Sequence, residues 1–544
     1  MRDLATRAQK HRDSGSWRGI PLGRTFEETC RAQPTAVALI DGPTRLEFAR
    51  LHEAVRRCAN GLLEAGVEPG NAVAYQLPNW WEAAVVLLAA SRVGAQAVPI
   101  VPFLRAREVA AILGETRPRI VVVPERLGDT KYLPLVREAI ERQAPGFEPP
   151  RIVLTRSTRP AADAVDFTRL VTDSATRELP TVDPGTLAVI IYTSGSTAAP
   201  KGAMHTHETL DAELASLREV HGLGPADRVL MPSPLTHVSG VVHGVLAPAL
   251  LGTSAVLMDR WEPGEALRLI EAHRVTYMIG APTFLQEMLA HPDLYKRDLS
   301  SLRLFSCGGA SVPPELMRLG REKLPGLVTK RVYGSSEFPT ISTTSADDAR
   351  TRGLDTEGRA LPGVELRICD EEGREQPEGV EGEIRARGPD CFVGYVDARL
   401  DDDAFDDDGF LRTGDLGVLD EEGYLTVTGR AKDIIVRKGE KISAREVEDL
   451  ILEHPAVAEV AVVPVADPET GERACACVLV KRERSAPSLE DLVAFLRERD
   501  VTSRKLPERL VVRDHFPRAP SGKIHKKRLR EEAERFLARH ARGR

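Results

Sequence analysis

The chain has 544 residues, of which 42% are hydrophobic, 28% charged and 5% aromatic, and 74 Lys and Arg against 81 Asp and Glu give a net charge of −7. At about 100–200 residues per domain, this length allows roughly three to five structural units and excludes a small scaffold that depends on disulfides or structural metal. The seven cysteines are scattered without a C-x-x-C pair. This pattern excludes a zinc cluster of that type and favours a reducing compartment.

Three sequence features bear on the expected location and partners of the protein. Residues 1–24 are polar and rich in Arg, with no apolar segment of the kind found in a signal peptide. The apolar stretch 83–90 is much shorter than the ~20 residues of a membrane-spanning helix. We therefore expect a cytoplasmic protein without integral membrane contact. The acidic net charge argues against a nucleic-acid partner, although the stretch after Arg518 is basic.

Apolar, β-branched runs alternate with helical patterns through the first four hundred residues. Predicted strands cover 72–77, 97–101, 120–123, 151–154, 187–192, 255–258, 277–280 and 302–307. Predicted helices between them cover 81–93, 263–273 and 283–289. This alternation is typical of βα units, so the predicted fold class is α/β with mostly parallel sheets.

The sequence pattern changes twice in the second half of the chain. From Gly363 short strands alternate with Gly and Asp turns, which predicts an antiparallel, barrel-like β subdomain. After Gly429 the pattern predicts a helix at 443–452, strands at 457–465 and 474–480, and a helix at 488–499. We therefore predict a large domain, 1–429, coupled through residues 430–433 to a small α+β domain, 430–544.

The segment that points most directly to chemistry is Y-T-S-G-S-T-A-A-P-K-G, residues 192–202, directly after a predicted strand. Backbone N–H and hydroxyl groups in such a loop can face a phosphate, and Lys201 adds a compact positive charge. The lysine precedes the glycine, so this is not a Walker A loop. The alternative is a flexible surface linker, which would not require the Pro-Lys-Gly that follows.

Five motifs resemble those of the adenylate-forming superfamily, which comprises acyl-CoA synthetases, adenylation domains of peptide synthetases and beetle luciferases. They occur in the family's order over essentially the whole chain, and they are T-S-G-S-T-x-x-P-K-G from Thr193, Y-G-S-S-E from Tyr333, T-G-D from Thr413, G-R-A-K-D from Gly429 and P-S-G-K from Pro520. The resemblance implies a large AMP-binding domain and a small mobile C-terminal domain. It also implies activation of a carboxylic acid by ATP and Mg²⁺, followed by transfer of the acyl group to coenzyme A.

The resemblance also implies roles for individual residues. Glu337 would help to hold Mg²⁺, Tyr333 would pack on adenine, and Asp415 would accept hydrogen bonds from the ribose hydroxyls. A carboxylate suits a cis-diol because it accepts two charge-assisted hydrogen bonds. The other expected nucleotide-binding residues are Thr193, Ser194, Gly195, Ser196, Thr197, Lys201, Gly308, Gly309, Ala310, Gly334, Ser335, Ser336 and Arg430.

The C-terminal motifs carry the expected two-step mechanism. Lys523 would neutralise the charge on the α-phosphate and the carboxylate during adenylation, and Lys432 would be the hinge about which the small domain turns. The segment with Lys438, Gly439 and Glu440 would then approach the site and form part of the thiol channel. A two-step reaction in one cleft gives a physical reason for a hinge, because different groups must be presented in turn.

The predicted acyl pocket comprises residues 235–244 with Ala281, 306–308 and 335–339, and His237 would lie at its carboxylate and thiol end. Its residues are mostly small or aliphatic, without the Asp that receives an amino group in amino-acid adenylation domains. No Trp follows Tyr333-Gly334-Ser335, as it would in acetyl-specific enzymes. An apolar acid larger than acetate fits best. Residues 76–82 and 437–443 resemble those of bacterial short- to medium-chain acyl-CoA and cyclohexanecarboxylate-CoA ligases.

The sequence departs from the family pattern at Ala198, where Gly is usual, and at Ser336, where Thr is commoner. A side chain at position 198 costs on the order of 1 kcal/mol if the backbone there needs a positive φ. Three alternatives follow: an enzyme that loads a separate carrier protein, a catalytically weak nucleotide-binding relative, and a basic-tailed nucleic-acid binder. The acidic charge and the absence of interleaved aromatic and basic residues disfavour the last.

Overall fold

The computed structural model describes residues 4–158, 161–172, 177–193, 200–345, 348–437, 440–467, 470–499, 501, 506–518 and 524–541. The strands are β1 Val37–Asp41, β2 Thr44–Glu47, β3 Ala72–Tyr75, β4 Gln96–Pro99, β5 Ile120–Pro124, β6 Arg126–Leu127, β7 Thr130–Lys131, β8 Arg151–Thr155, β9 Ala164–Asp166, β10 Leu187–Thr193, β11 Lys201–Thr206, β12 Arg228–Met231, β13 Ser254–Leu257, β14 Tyr277–Gly280, β15 Leu304–Gly308, β16 Val328–Tyr333, β17 Ser342–Thr343, β18 Arg359–Ala360, β19 Glu365–Cys369, β20 Gly382–Arg387, β21 Gly394–Tyr395, β22 Leu411–Leu419, β23 Leu425–Arg430, β24 Ile434–Arg437, β25 Glu440–Ser443, β26 Val457–Asp467, β27 Gly471–Val480 and β28 Arg509–Arg513.

The helices agree with the predicted α/β alternation. They are α1 Leu4–Asp13, α2 Leu22–Ala32, α3 Phe48–Glu64, α4 Trp81–Arg92, α5 Ala106–Thr116, α6 Tyr132–Glu141, α7 Phe167–Thr172, α8 His207–His221, α9 Pro263–His273, α10 Pro282–Ala290, α11 Pro314–Lys323, α12 Asp401–Ala404, α13 Ala444–Leu452, α14 Leu489–Arg497 and α15 Lys526–Ala541, with a π-helix at Gly240–Leu251. Short 3₁₀ turns occur at Leu294–Lys296, Asp348–Arg350, Ala398–Leu400 and Ala431–Asp433. Among the described residues, no helix is long and apolar enough to cross a bilayer.

Two large mixed sheets form most of the first four hundred residues. Among the described strands, one sheet has the order β18-β17-β16-β15-β14-β12-β13-β1-β2 and the other β21-β11-β10-β4-β3-β5-β8-β9. In the first sheet, the neighbouring strands β16, β15, β14, β12, β13 and β1 are parallel. In the second sheet, the neighbouring strands β10, β4, β3, β5, β8 and β9 are parallel. The remaining strands pair antiparallel, and they are β2, β17 and β18 in the first sheet and β11 and β21 in the second. The predicted α/β class with mostly parallel sheets is confirmed.

The largest hydrophobic core lies between these two sheets. It joins side chains of β3 and β10 to side chains of β12, β13 and β14, with α3, α4, α8 and the π-helix packed between them. Helix α4 is apolar on almost every side, and all ten residues from 82 to 91 are buried. A helix without a polar face must be covered on all sides, so its sequence places it in the middle of the layers.

The π-helix at Gly240–Leu251 is fully buried in this same core. It follows His237 closely, and a Cβ at Gly240 would overlap the carbonyl of Pro234. Only glycine therefore permits this close approach of the two backbones. Its π geometry is not apparent in the sequence, although π-helical turns frequently accompany functional sites.

Two smaller sheets follow. The predicted antiparallel section is a four-stranded sheet of order β19-β20-β22-β23. Among its described strands, β19 and β23 are two open edges, whereas the sequence predicted a barrel-like unit. The strands from β24 onward pair with one another in the order β25-β24-β27-β26, with β28 on β27. The predicted boundary at 429/430 thus falls between two separately paired sheets and stays a prediction.

Glu357 links the large part of the chain to the C-terminal part. Its Oε1 accepts hydrogen bonds from Arg331 Nη1 on β16 at 3.2 Å and from Arg445 Nη2 on α13 at 3.0 Å. Its Oε2 accepts a hydrogen bond from the Val427 backbone N–H at 2.8 Å. Arg331 and Glu357 are 3% and 4% exposed, so this carboxylate balances two cations that water does not reach well.

We predict that Glu357→Ala lowers the free energy of unfolding by about 3–5 kcal/mol, because two largely buried guanidinium groups lose their shared carboxylate partner and keep only longer contacts, Arg445 with Asp449 at 3.7 Å and Arg331 with the Asp355 carbonyl at 3.4 Å. Differential scanning calorimetry of the full chain should show a markedly lower unfolding temperature. Glu315→Ala is the matched control, since Glu315 and Arg318 form an exposed pair at 3.6 Å. Such a pair contributes about 0–1 kcal/mol. Equal shifts for the two variants would contradict the assigned role.

Candidate functional site

The loop after β16 carries the Y-G-S-S-E motif and is held by its own hydrogen bonds. The Ser335 backbone N–H donates to the Phe338 carbonyl at 2.8 Å, and Ser335 Oγ accepts from the backbone N–H groups of Glu337 and Phe338 at 3.2 Å each. A Cβ at Gly334 would overlap the carbonyl of Pro339. The tight turn therefore needs both the hydroxyl and the glycine of the motif, and it fixes the direction of Glu337.

Tyr395 brings Glu337 and Lys201 together. Its hydroxyl donates to Glu337 Oε1 at 2.7 Å, and Lys201 Nζ lies 5.5 Å from the centre of its ring. Strand β21, which carries Tyr395, pairs with β11, which begins at Lys201. Burial and the Glu337 carboxylate raise the pKa of Tyr395, so the phenol stays a neutral donor. Sequence analysis missed Tyr395, because no local pattern marks it.

His205 on β11 supports the same loop. Its Nε2 lies 2.8 Å from the Ser336 carbonyl, and its Nδ1 lies 3.4 Å from Thr209 Oγ1. A carbonyl oxygen only accepts, so the network assigns the ring proton to Nε2. Burial lowers the pKa of His205 to about 4, and the ring is therefore neutral at physiological pH.

A second group of residues surrounds Asp415. Tyr333 Oη donates to Asp415 Oδ2 at 2.9 Å, and Arg430 Nε lies 2.8 Å from Asp415 Oδ1. Asp415 and Arg430 are direct partners across β22 and β23. Burial and the Asp415 carboxylate raise the pKa of Tyr333 well above its ordinary value. Tyr333, which is 82 residues from Asp415 in the sequence, thus meets the paired Asp415 and Arg430 at one carboxylate.

The glycine-rich end of β15 lies beside this group. Gly308 is the register partner of Val332 on β16, and a Cβ at Gly308 would overlap Val332. Gly309 has φ +76°, a conformation that favours glycine. The 308–310 segment and the Tyr333 loop are therefore neighbours, because adjacent parallel strands end at one edge of the sheet.

His237 lies in the loop between β12 and the π-helix. Its Nδ1 lies 3.1 Å from Ser239 Oγ, and its backbone N–H donates to the Pro234 carbonyl at 2.9 Å. Since β12 neighbours β14, and β14 neighbours β15, this loop emerges at the same sheet edge as Gly308. The half-buried imidazole of His237 lies near that edge, and the acyl pocket stays a prediction.

Several predicted site residues lie outside the described residues: Ser194, Gly195, Ser196, Thr197, Lys438, Gly439 and Lys523, together with Ala198. The side chains of Lys432 and Glu440 also lie outside them. Thr193 is described as the last residue of β10, and it pairs with Lys201, the first residue of β11. The predicted phosphate loop thus begins and ends on paired neighbouring strands.

The arrangement fits the way in which proteins bind magnesium with nucleotides. Mg²⁺ is usually held by one or two carboxylates, with phosphate oxygens and water completing its shell. Within the described ranges, no group of three or more His, Cys, Asp or Glu side chains could hold a metal. Glu337 offers a single carboxylate next to Lys201, which suits a metal that arrives with a triphosphate.

Comparison with known proteins agrees with this geometry. Residues 26–396 match the model of the "AMP-binding enzyme" family and residues 446–523 that of the "AMP-binding enzyme C-terminal domain". The chain belongs to the AMP-binding enzyme family. It is 36% identical to a medium-chain fatty-acid–CoA ligase of Escherichia coli (strain K12), over 98% of this chain and 94% of that one.

Two further relatives support the class of enzyme. The chain is 35% identical to a salicylyl-CoA synthase / salicylate adenylyltransferase of Streptomyces sp, over 96% of each chain. The structure of ATP-bound MatB from Rhodopseudomonas palustris matches with a TM-score of 0.84 at 27% identity, covering 95% of this chain and 99% of that one. The protein is an AMP-forming acyl-CoA synthetase, an enzyme type that uses ATP, Mg²⁺ and CoA.

We predict that His205→Gln makes stability less sensitive to acid. The ring has a pKa of about 4 in the folded chain and about 6.5 when unfolded. The unfolded state therefore binds more protons below pH 6.5, and stability is lost as pH falls from 6.5 to 4. Between pH 7 and 4.5 the loss due to His205 is about 2–3 kcal/mol.

Chemical denaturation at pH 7 and pH 4.5 measures this difference. The fall in unfolding free energy should be smaller in His205→Gln than in the wild type. His515→Gln changes an exposed ring and should follow the wild type. If all three proteins lost the same stability between the two pH values, His205 would not contribute to the acid sensitivity.

Proposed function

We propose that this enzyme converts a carboxylic acid larger than acetate, with a mainly apolar acyl group, into its CoA thioester. The reaction passes through an acyl-adenylate and releases pyrophosphate and AMP. The observation that carries the proposal is the convergence of Lys201 and Glu337 with Asp415, Tyr333 and Arg430 beside the carboxyl ends of β15 and β16.

The pair of Lys201 and Glu337 suits the triphosphate. Attack of a carboxylate on a phosphate brings negative charges together, so catalysis needs cations and aligned reactants. Lys201 supplies one positive charge at the end of the loop that starts at Thr193 and contains Ser194, Gly195, Ser196 and Thr197. Glu337 would hold Mg²⁺ through the oxygen atoms that its hydrogen bond with Tyr395 leaves accessible. The metal would screen the phosphate charges.

The Asp415 group suits the nucleoside. Among the described residues, each oxygen of Asp415 has one side-chain partner, Tyr333 Oη or Arg430 Nε, and a second lone pair can accept a ribose hydroxyl. The hydrogen bond to Asp415 also holds the Tyr333 ring in one orientation, so that its face can pack on adenine. Gly308, Gly309 and Ala310 offer little side-chain bulk beside that face, which leaves room for the base.

The C-terminal part supplies the remaining proposed roles. Lys523 would neutralise charge during adenylation, and rotation about Lys432 would then exchange it for the segment containing Lys438, Gly439 and Glu440. His237 would act at the carboxylate and thiol end of the acyl pocket. Support comes from the match of residues 446–523 to the family's C-terminal domain and from the contact of Arg445 with Glu357 across the boundary.

The preference for an apolar acyl group rests on the walls of the predicted pocket. Val238, Val241 and Val242 are buried aliphatic residues in or next to the π-helix. Residues 235–244 contain no acidic side chain that would bind an amino group. The relatives act on different acids, since one is named for medium-chain fatty acids and another for salicylate. The proposed class of acid therefore rests on the residues of the predicted pocket, and the relatives do not decide it.

Product analysis by mass spectrometry tests the proposed reaction. The protein is mixed with ATP, Mg²⁺ and aliphatic, alicyclic and aromatic acids, with and without CoA. We expect acyl-AMP without CoA and acyl-CoA with it. Acyl-AMP under both conditions would contradict CoA as the acceptor and point to a carrier protein. Absence of both products would contradict the proposed activity and favour a nucleotide-binding relative marked by Ala198.

We predict that Asp415→Asn raises the ATP concentration needed for half-maximal acyl-AMP formation by about 10- to 100-fold, since charged hydrogen bonds contribute about 1.5–3 kcal/mol. The wild type should also prefer ATP over 2′,3′-dideoxy-ATP, and the variant should lose most of this preference. Asp408→Asn in an exposed turn is the matched control. An unchanged preference in Asp415→Asn would contradict ribose binding.

A further inference from the structure

Two carboxyl groups are buried together between α8 and the loop that precedes β21. Glu213 lies on α8, Asp390 lies in the loop of residues 388–393, and both side chains are 0% exposed. The two side chains are hydrogen-bonded to each other. A carboxylate accepts hydrogen bonds and has no proton to donate. One member of this pair must therefore be protonated.

The surroundings of the pair assign the proton to Glu213. Its Oε1 accepts a hydrogen bond from Thr340 Oγ1 at 2.7 Å, which leaves its other oxygen for Asp390. Burial raises the pKa values of both carboxyl groups, that of Asp390 to about 7, because water does not solvate their charges. The Arg7 guanidinium on α1 favours the ionised form of Asp390. Glu213 is thus the donor and Asp390 the acceptor.

Glu213 holds one end of the loop that carries Glu337. This Glu337 loop, residues 334–341, joins β16 to β17. Thr340, which donates to Glu213, is three residues after Glu337 and is 2% exposed. Helix α8 therefore fixes the second half of the loop through a buried hydrogen bond.

Asp390 belongs to the segment that holds Glu337 itself. The backbone N–H of Phe392, two residues after Asp390, donates to the Glu337 carbonyl at 2.8 Å. The chain then continues to Tyr395, whose hydroxyl donates to Glu337 Oε1 at 2.7 Å. A movement of Asp390 away from α8 would therefore displace groups that hold both the backbone and the side chain of Glu337.

The N-terminal part of the chain also holds the 388–393 loop. Arg7 Nη1 donates to the Phe392 carbonyl at 2.8 Å, and its Nη2 donates to the Gly388 carbonyl at 3.2 Å. Trp17 Nε1 donates to the Pro389 carbonyl at 2.9 Å. These donors fix the backbone of the loop, and the hydrogen bond between Asp390 and Glu213 joins it to α8.

We propose that Glu213 and Asp390 are positioning residues, which share one proton and thereby hold the Glu337 loop in the orientation that binds Mg²⁺ with ATP. The inference rests on the proposed role of Glu337 and adds two residues that act through other groups. Without the shared proton, two carboxylates would repel each other in a site that water does not reach. Helix α8 and the 388–393 loop would then separate.

Calorimetric titration with a non-hydrolysable ATP analogue tests the positioning role. The affinity is measured with and without Mg²⁺, and the ratio of the two values gives the gain that the metal provides. Asp390→Ala should reduce this gain about tenfold, as expected when a residue that orients a metal ligand is lost. A general packing defect would weaken binding equally with and without Mg²⁺. A wild-type gain in Asp390→Ala would overturn the role.

Two variants of α8 serve as the rescue and the control. Glu213→Gln keeps an N–H donor for Asp390 and an oxygen acceptor for Thr340, so it should retain the wild-type gain. Glu219→Gln is the matched control, because Glu219 is exposed on the same helix. Loss of the gain in Glu213→Gln, with Glu219→Gln unaffected, would overturn the positioning by this hydrogen bond.

Infrared difference spectra test the shared proton without any nucleotide. At pH 8 the wild type should show the carbonyl band of a protonated carboxylic acid, since ordinary carboxyl groups with pKa values of about 4 are ionised. Glu213→Gln should lack this band, and Glu219→Gln should keep it. Identical bands in Glu213→Gln and the wild type would overturn the assignment of the proton to Glu213.

The results also separate this inference from the proposed function. A wild type that forms acyl-AMP, together with an unchanged Mg²⁺ gain in Asp390→Ala, would overturn the inference and leave the ligase function intact. Absence of any Mg²⁺ gain in the wild type would contradict the proposed role of Glu337 and overturn both. The infrared measurement on the wild type does not depend on Asp390→Ala, so a poorly folded variant does not obscure it.

Discussion

The parallel order of β12, β14, β15 and β16 is the constraint on which the site depends. Parallel strands bring their carboxyl ends to a common edge, so the loops that follow them share one crevice. His237, Gly280, Gly308 and Tyr333 come from four such strand ends or the loops after them. Their meeting is a consequence of sheet topology, and the apolar core between the two large sheets makes that topology stable.

Two tyrosines convert this shared edge into a polar site. Tyr395 joins the second large sheet to Glu337, and Tyr333 joins the first to the four-stranded sheet through Asp415. Both phenols stay protonated because burial and a carboxylate raise their pKa values. Each tyrosine therefore donates a hydrogen bond that orients a carboxylate without neutralising its charge. The proposed metal and ribose contacts both rely on charged carboxylates held in this way.

Hydrogen bonds between buried polar groups join parts of the molecule that are far apart in the sequence. Within the described ranges, Glu357 accepts hydrogen bonds from three donors and couples the large part of the chain to the C-terminal part. Lys330 and His221 pair with each other and support the core. Removing one partner of such a buried hydrogen bond leaves the other partner without compensation, which is costly.

Local sequence patterns determined the class of fold and the composition of the proposed nucleotide site. Apolar runs predicted β14 and α9 with the bounds that the structure has, because strand and helix periodicity is expressed within a few residues. The ordered motifs predicted Tyr333, Glu337, Asp415 and Arg430 as site residues, because the residues that form one binding loop are neighbours in the sequence. The sequence also predicted a small α+β unit at the end of the chain, where the strands from β24 onward pair with one another.

Only the tertiary structure revealed the partners of these residues. Tyr395 is 58 residues from Glu337, His205 is 131 residues from Ser336, and Arg445 is 88 residues from Glu357. Contacts over such separations leave no periodic signal in one sequence, because they depend on which strands become neighbours. The contact between the His243 and Tyr277 rings is one case: the π-helix packs against β14, and a single sequence does not encode that packing in a local pattern.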